Sequence, residues 1–143
     1  MASNLSISSA LTSNFVFVGF NTSNYQQSLN SVLYDIDLIN ADLMMAFQTK
    51  VGERVMRPDW GCRIWDYLMN QMDTYTVNSI IAEAQRIIGL DGRLVEQGIN
   101  VYQDEHTITL EIQLLYNPLN VIGTFLATFE SQDTAYFSGT TTN

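Results

Sequence analysis

From His106 to Tyr116 the chain alternates: Ile108, Leu110, Ile112 and Leu114 stand against Thr107, Thr109, Glu111 and Gln113. Successive side chains of a strand leave opposite faces of the pleat, so this segment has one buried and one wet face. A strand of that kind belongs to an antiparallel sheet covered on one side only. The chain must therefore supply a cover for that side. Asn117-Pro118 stops the strand.

The cover lies upstream. Ile36, Ile39, Leu43 and Phe47 recur at helical spacing, and Leu38, Met44 and Met45 broaden the stripe. The spacing predicts a helix over 35–48, with Asp35 as its N-cap. Ile64 and Leu68, with Trp65 beside Met69, predict a short helix over 63–70. Val77, Ile80, Ile81, Ala84, Ile87 and Ile88 form the apolar face of a helix over 74–88, capped by Asp73 or Thr74. Gly89 stands where a left-handed C-terminal residue is wanted, before a turn at Leu90-Asp91-Gly92-Arg93. Two further strands are expected. One runs over 94–102, interrupted at Gly98 by a bulge. The other runs over 121–129, with Val121, Phe125, Ala127 and Phe129 on one face. Helices followed by strands make an α+β fold. Two main helices and a short one pack on a small, mainly antiparallel sheet of about three strands. Such a sheet has two open edges, which pair with other chains unless they are blunted.

The 143 residues suit one domain. Residues 1–34 carry no charged side chain and are rich in Ser, Asn and Thr, which describes a flexible arm. Its patch Phe15, Val16, Phe17, Val18 and Phe20 suits a short strand docking on this domain or on a neighbour. The folded domain is expected over 35–130 and a polar tail over 131–143, with Tyr136 and Phe137 as anchors. The sequence offers neither an 18-residue apolar run nor a signal peptide.

A net charge of −9 argues against nucleic acid or an anionic membrane as partner. With one cysteine, Cys62, and one histidine, His106, no internal disulfide or cysteine-rich metal site is possible, and little is left for a His-based triad. Neither cofactor nor metal is expected, and an intracellular assembly compartment is. Cys62 reads as a small packed side chain and His106 as a surface residue.

Four of the six basic residues gather at Lys50, Arg54, Arg57 and Arg63, in and just beyond the loop Lys50-Val51-Gly52-Glu53-Arg54-Val55-Met56-Arg57-Pro58-Asp59-Trp60-Gly61-Cys62. Glu53 and Arg54 form either a pair facing a partner or a local bridge that pins the loop. Pro58 and Gly61 shape the chain. Trp60 and Trp65 read as lids on the helices, with interface anchors as the sharper alternative.

The run from Asp42-Leu43 through Phe47-Gln48-Thr49-Lys50-Val51-Gly52-Glu53-Arg54-Val55-Met56-Arg57-Pro58-Asp59-Trp60-Gly61 resembles the signature of the small baseplate wedge proteins of contractile phage tails. Relatives of that family serve in type VI secretion baseplates. Ile64-Trp65-Asp66-Tyr67-Leu68 keeps the expected spacing, and the resemblance covers roughly 35–130. It implies a structural subunit, not an enzyme, located in the virion tail baseplate after assembly in the host cytoplasm. Several copies would stand in a symmetric baseplate. The implied partners are other baseplate wedge subunits and the tail sheath protein. The resemblance further implies a fold like the sheath assembly domain, with sheath arms adding strands to the sheet so that it templates polymerisation. The family's Glu-Pro-Arg signature, which contacts the wedge core, is here Asp91-Gly92-Arg93: the arginine stays, the acid is shorter and the rigid proline is absent. The resemblance thus makes Glu53, Arg54, Arg57, Pro58, Gly61, Asp91 and Arg93 the candidate partner-binding residues. Some family members carry a lysozyme label, so peptidoglycan cleavage is an alternative, with Glu53 and Asp59 or Asp66 as its carboxyl pair. No spacing marks such a pair, and glycoside hydrolysis needs one carboxyl held protonated. A transient assembly-binding module is a third reading.

Overall fold

The computed structural model describes residues 16–20, 32–117, 119–130 and 134–142. Phe15, the rest of the expected arm, Pro118 and 131–133 lie outside the described residues. The chain divides into two units, 1–41 and 42–143.

In the first unit, β1 (Val18–Phe20) pairs antiparallel with β2 (Val32–Tyr34), so part of the aromatic patch is a strand held by the chain's own backbone. Asp35 follows in the left-handed region, φ 45°. Asparagine and aspartate tolerate that region better than most residues. The expected capping role of Asp35 is corrected here. Its Oδ1 accepts the backbone N–H groups of Val16 and Phe17, both at 2.8 Å, and its own N–H donates to the Phe17 carbonyl at 3.0 Å. The carboxylate is thus committed to the incoming strand. The helix that starts here, α1 (Asp35–Gln48), keeps the predicted stripe: Ile39, Leu43 and Phe47 are buried.

In the second unit, α2 (Ile64–Tyr67) is one turn long, shorter than predicted, with Ile64 and Trp65 buried. Next, α3 (Thr74–Gly89) is capped by Asp73, whose carboxylate accepts the Thr76 N–H at 2.8 Å. Gly89 is corrected: it is the last helical residue, and Leu90 closes the helix right-handed at φ −71°, its N–H donating to Ile87. No left-handed residue is needed, because the chain turns through a further short turn to Leu94.

The main sheet has four strands, not about three. They are β3 (Leu94–Asp104), β4 (Thr107–Tyr116), β5 (Val121–Glu130) and β6 (Thr134–Thr142), antiparallel in that spatial order. The expected polar tail therefore supplies an edge strand. Threonine is a good strand former, and Phe137 turns inward beside Phe125 and Phe129. The predicted bulge is present between Glu96 and Gly98. It resets the pleat. Leu94 faces inward before it, and Ile99 and Val101 pair across from Ile112 and Leu110 after it. Without the extra residue the strand's second half would present its apolar side chains to the wrong face.

The inner face of β4 and β5 is buried: Ile108, Leu110, Ile112, Leu114, Tyr116, Phe125, Ala127 and Phe129. Phe47 of α1 lies 6.0 Å from Phe125 and Trp65 of α2 lies edge-on 5.1 Å from Phe129, both centroid to centroid. Aromatic contacts of this geometry add to the burial that already dominates stability.

Candidate functional site

The loop between α1 and α2 is built by backbone constraints. Thr49 and Cys62 close its neck, with the Cys62 N–H donating to the Thr49 carbonyl at 2.8 Å and a parallel bridge joining Lys50 to Cys62. Gly61 makes this closure possible. Its φ is +134°, and a Cβ there would lie 2.7 Å from the Lys50 carbonyl carbon and oxygen. Beyond the neck, the Gly52 N–H donates to the Pro58 carbonyl at 3.0 Å, and Glu53 Oε2 accepts the Lys50 N–H at 2.9 Å. Arg54 lies over the Trp60 ring, its guanidinium carbon 3.8 Å from the centroid. The loop is thereby a shaped projection, and its tip carries Val55 and Met56 at 93% and 91% exposure between Arg54 and Arg57.

A buried carboxylate anchors the base of this projection. Glu83 of α3 accepts the Arg63 N–H at 3.0 Å and bonds Arg86 through both oxygens, at 2.7 and 3.0 Å. Arg86 in turn donates to the Gly61 carbonyl at 2.6 Å. Burial by itself would raise the Glu83 pKa, but the bonds from Arg86 and Arg63 outweigh it and hold the carboxyl below its ordinary 4.5. A depressed carboxyl adds stability above its unfolded value and loses it as pH falls through the folded one. Stability is therefore expected to decline as pH drops below about 4.5, more gently in Glu83→Gln, which should be less stable at neutral pH. Urea titrations across pH check this, and parallel curves for the two proteins would refute the assignment.

Downstream, Arg93 donates to Asp91 Oδ1 through Nε at 2.8 Å and, through Nη2, to Asp91 Oδ2 and to Asp42 Oδ2, the last at 2.8 Å. Burial opposes ionisation of Asp91, and the Arg93 bonds more than reverse it, so its carboxyl sits low. The Arg93 guanidinium is held charged more firmly still, chiefly by Asp91. Asp42, Leu43 and Ala46 of α1, Trp60 of the loop, Ile87 and Leu90, and Asp91 with Arg93 line one cleft of about 290 Å³. The loop and the turn thus share a surface through Trp60 and Arg93, thirty-three positions apart in the chain.

Trp65 is a lid: it is buried, and its Nε1–H donates to the Phe47 carbonyl at 3.0 Å. Trp60 is half-buried in the cleft wall. Cys62 is buried, and burial pushes its thiol up to about 12, far from a reactive thiolate. Among the described residues no cluster of three or more His, Cys, Asp or Glu is placed to hold a metal ion. No helix there is long and apolar enough to cross a membrane.

Sequence reasoning missed Glu83, Arg86, Asp42 and the tip pair Val55 and Met56. Two signals were available. Glu83 is a charge on the apolar face of α3, three residues after Ile80 and four before Ile87. The tip pair is an apolar doublet between two arginines in a loop.

The site is thus a hydrogen-bonded, charged projection beside a cleft walled by Arg93, next to a sheet with one buried face. The family model for baseplate wedge protein gp25 matches residues 35–118. The chain belongs to that family of phage tail baseplate proteins, which places it with other baseplate proteins. No curated protein matches it. Its fold is similar to the crystal structure of a protein from Geobacter sulfurreducens described as a candidate tail lysozyme, with 25% sequence identity and a TM-score of 0.58, covering 64% of this chain and 86% of that one.

Proposed function

We propose that this chain is a structural wedge subunit with two working surfaces. The loop 50–63 and the turn 91–93 seat it on other wedge subunits, and the sheet accepts arm strands of the tail sheath protein, templating sheath polymerisation in a symmetric baseplate. The observation that carries the first surface is the tip: Val55 and Met56 are held out in water on a hydrogen-bonded loop. Large apolar side chains so placed gain their burial only against another molecule. Arg54 and Arg57 flank the tip and meet partner carboxylates. Pro58, Gly61 and Glu53 hold its shape. Arg93 already serves Asp91 and Asp42, so its part is to fix the cleft wall that receives a partner side chain.

The test is a pull-down from the disassembled tail proteins of the same particle. Val55→Ser with Met56→Ser is expected to weaken retention of wedge subunits by at least about tenfold, as loss of a central anchor does. Sheath retention and the melting temperature should stay at wild-type values. Full wedge retention by this variant would sink the loop surface.

Peptidoglycan cleavage is the second reading, favoured by the description of the Geobacter protein. Its chemistry needs a carboxyl kept protonated by an apolar setting. The candidate carboxyls Glu53, Asp59 and Asp66 are all exposed instead, and Glu53 accepts the Lys50 N–H. Assembly chemistry fits these groups better.

A further inference from the structure

The two edges of the main sheet differ. On β3 the edge is interrupted by the bulge between Glu96 and Gly98, and it carries the charges Glu96 and Asp104. Both are devices that blunt an edge against pairing. The β6 edge carries none from Ala135 to Thr142: no charge, no proline, and a register with β5 that runs without a shift. Among the described residues no strand pairs with its outer side.

A receptor for side chains adjoins the same edge. Ala135 of β6 joins Met45, Gln48, Thr49, Lys50, Glu53 and Trp65 around a cleft of about 500 Å³. Phe137 extends this ledge, stacked 6.1 Å from Phe125 yet only half-buried. A strand laid along β6 would send alternate side chains to this inner side. Its other side chains would join the outer sheet face.

That outer face has a charge preference. Residues 94–143 contain six acidic side chains and no lysine or arginine. Glu111 and Glu130 stand on it, in register with Leu126 and Thr134.

We infer that the β6 edge is the one that takes an added strand. The strand is an extended segment of another chain, apolar where it faces Phe137, polar where it meets the cleft lined by Gln48, Thr49, Lys50 and Glu53, and polar or basic on its other side. This rests on the strand-addition reading above and names its edge and the chemistry of its guest.

Gln103 and Ala135 make a matched test. They close opposite ends of one cross-strand row, Gln103–Ile108–Phe129–Ala135, one on each edge. An inward lysine at an edge is a natural guard against pairing. The full chain would be mixed with the tail sheath protein of the same particle, and affinity and amide hydrogen exchange measured. Ala135→Lys is expected to lose at least about tenfold in affinity, with Gln103→Lys within about twofold. Amides of β6 should gain protection and those of β3 should not. Loss in Gln103→Lys with protection of β3 would overturn the edge assignment and leave the templating reading standing. No binding by the folded wild type would overturn both. Protection of β6 in the isolated chain that vanishes on removing residues 1–15 would show that the chain covers its own edge, and would also overturn the inference.

Discussion

Gly61→Ala should lower stability by about 2–4 kcal/mol, combining a strained backbone with an overpacked contact. The methyl group would stand 2.7 Å from the Lys50 carbonyl, which is backbone and cannot rotate away. The neck of the loop would have to open, breaking the Cys62–Thr49 bond and pulling the Gly61 carbonyl from Arg86. Gly52→Ala is the control. Its φ of +94° is also left-handed, but nothing lies within 4 Å of the added carbon. It should cost only about 1 kcal/mol. Urea denaturation of both variants separates the effects. Equal losses would show that backbone strain alone accounts for Gly61.

Trp65→Ala should cost about 3–5 kcal/mol, the usual penalty for emptying a buried aromatic site. The ring is packed edge-on at 5.1 Å against Phe129, and the Lys50 ammonium lies over it, 5.1 Å from its centroid. Trp65→Phe keeps most of the packing but leaves the Phe47 carbonyl without its donor, and should cost about 1–2 kcal/mol. Trp60→Ala should change folding by less than about 1 kcal/mol, since Trp60 is only half-buried. Denaturation followed by far-ultraviolet circular dichroism checks all three. A Trp65→Ala protein as stable as wild type would remove Trp65 from the core and return it to the interface.

Both tryptophans read alike in the sequence, as lids on the helices or as interface anchors. Their fates depend on what lies opposite. Trp65 meets Phe129, sixty-four residues later in the chain, and Trp60 meets Arg54 and the cleft. The tail shows the same limit. Residues 134–142 have little apolar content and no strict alternation, so local pattern marks them as irregular. Their strand exists because β5 offers an unpaired ladder and Phe125 and Phe129 offer a place for Phe137. The short helix α2 came out shorter than its pattern, since one turn suffices to bury Ile64 and Trp65.

What the sequence by itself determined is the set of elements with a strong period. These are the stripes of α1 and α3, the alternation of β4 and β5, a cap at Asp73 or Thr74, and the bulge at Gly98. Each depends on neighbours within a few residues, and local physics is enough to read it. The family likeness of the loop was legible for the same reason, because it lies in one continuous run. Tertiary structure alone decided the rest. It set the fourth strand and turned Asp35 from a cap into an anchor for Val16 and Phe17. It joined Glu83 to the loop through Arg63 and Arg86, and it put Trp60 and Arg93 on one cleft. Apart from the β5–β6 hairpin and the Glu83–Arg86 pair, those arrangements link residues roughly twenty to more than fifty positions apart. Their partners are chosen by packing and by the need to satisfy buried polar groups, and neither leaves a period in the chain.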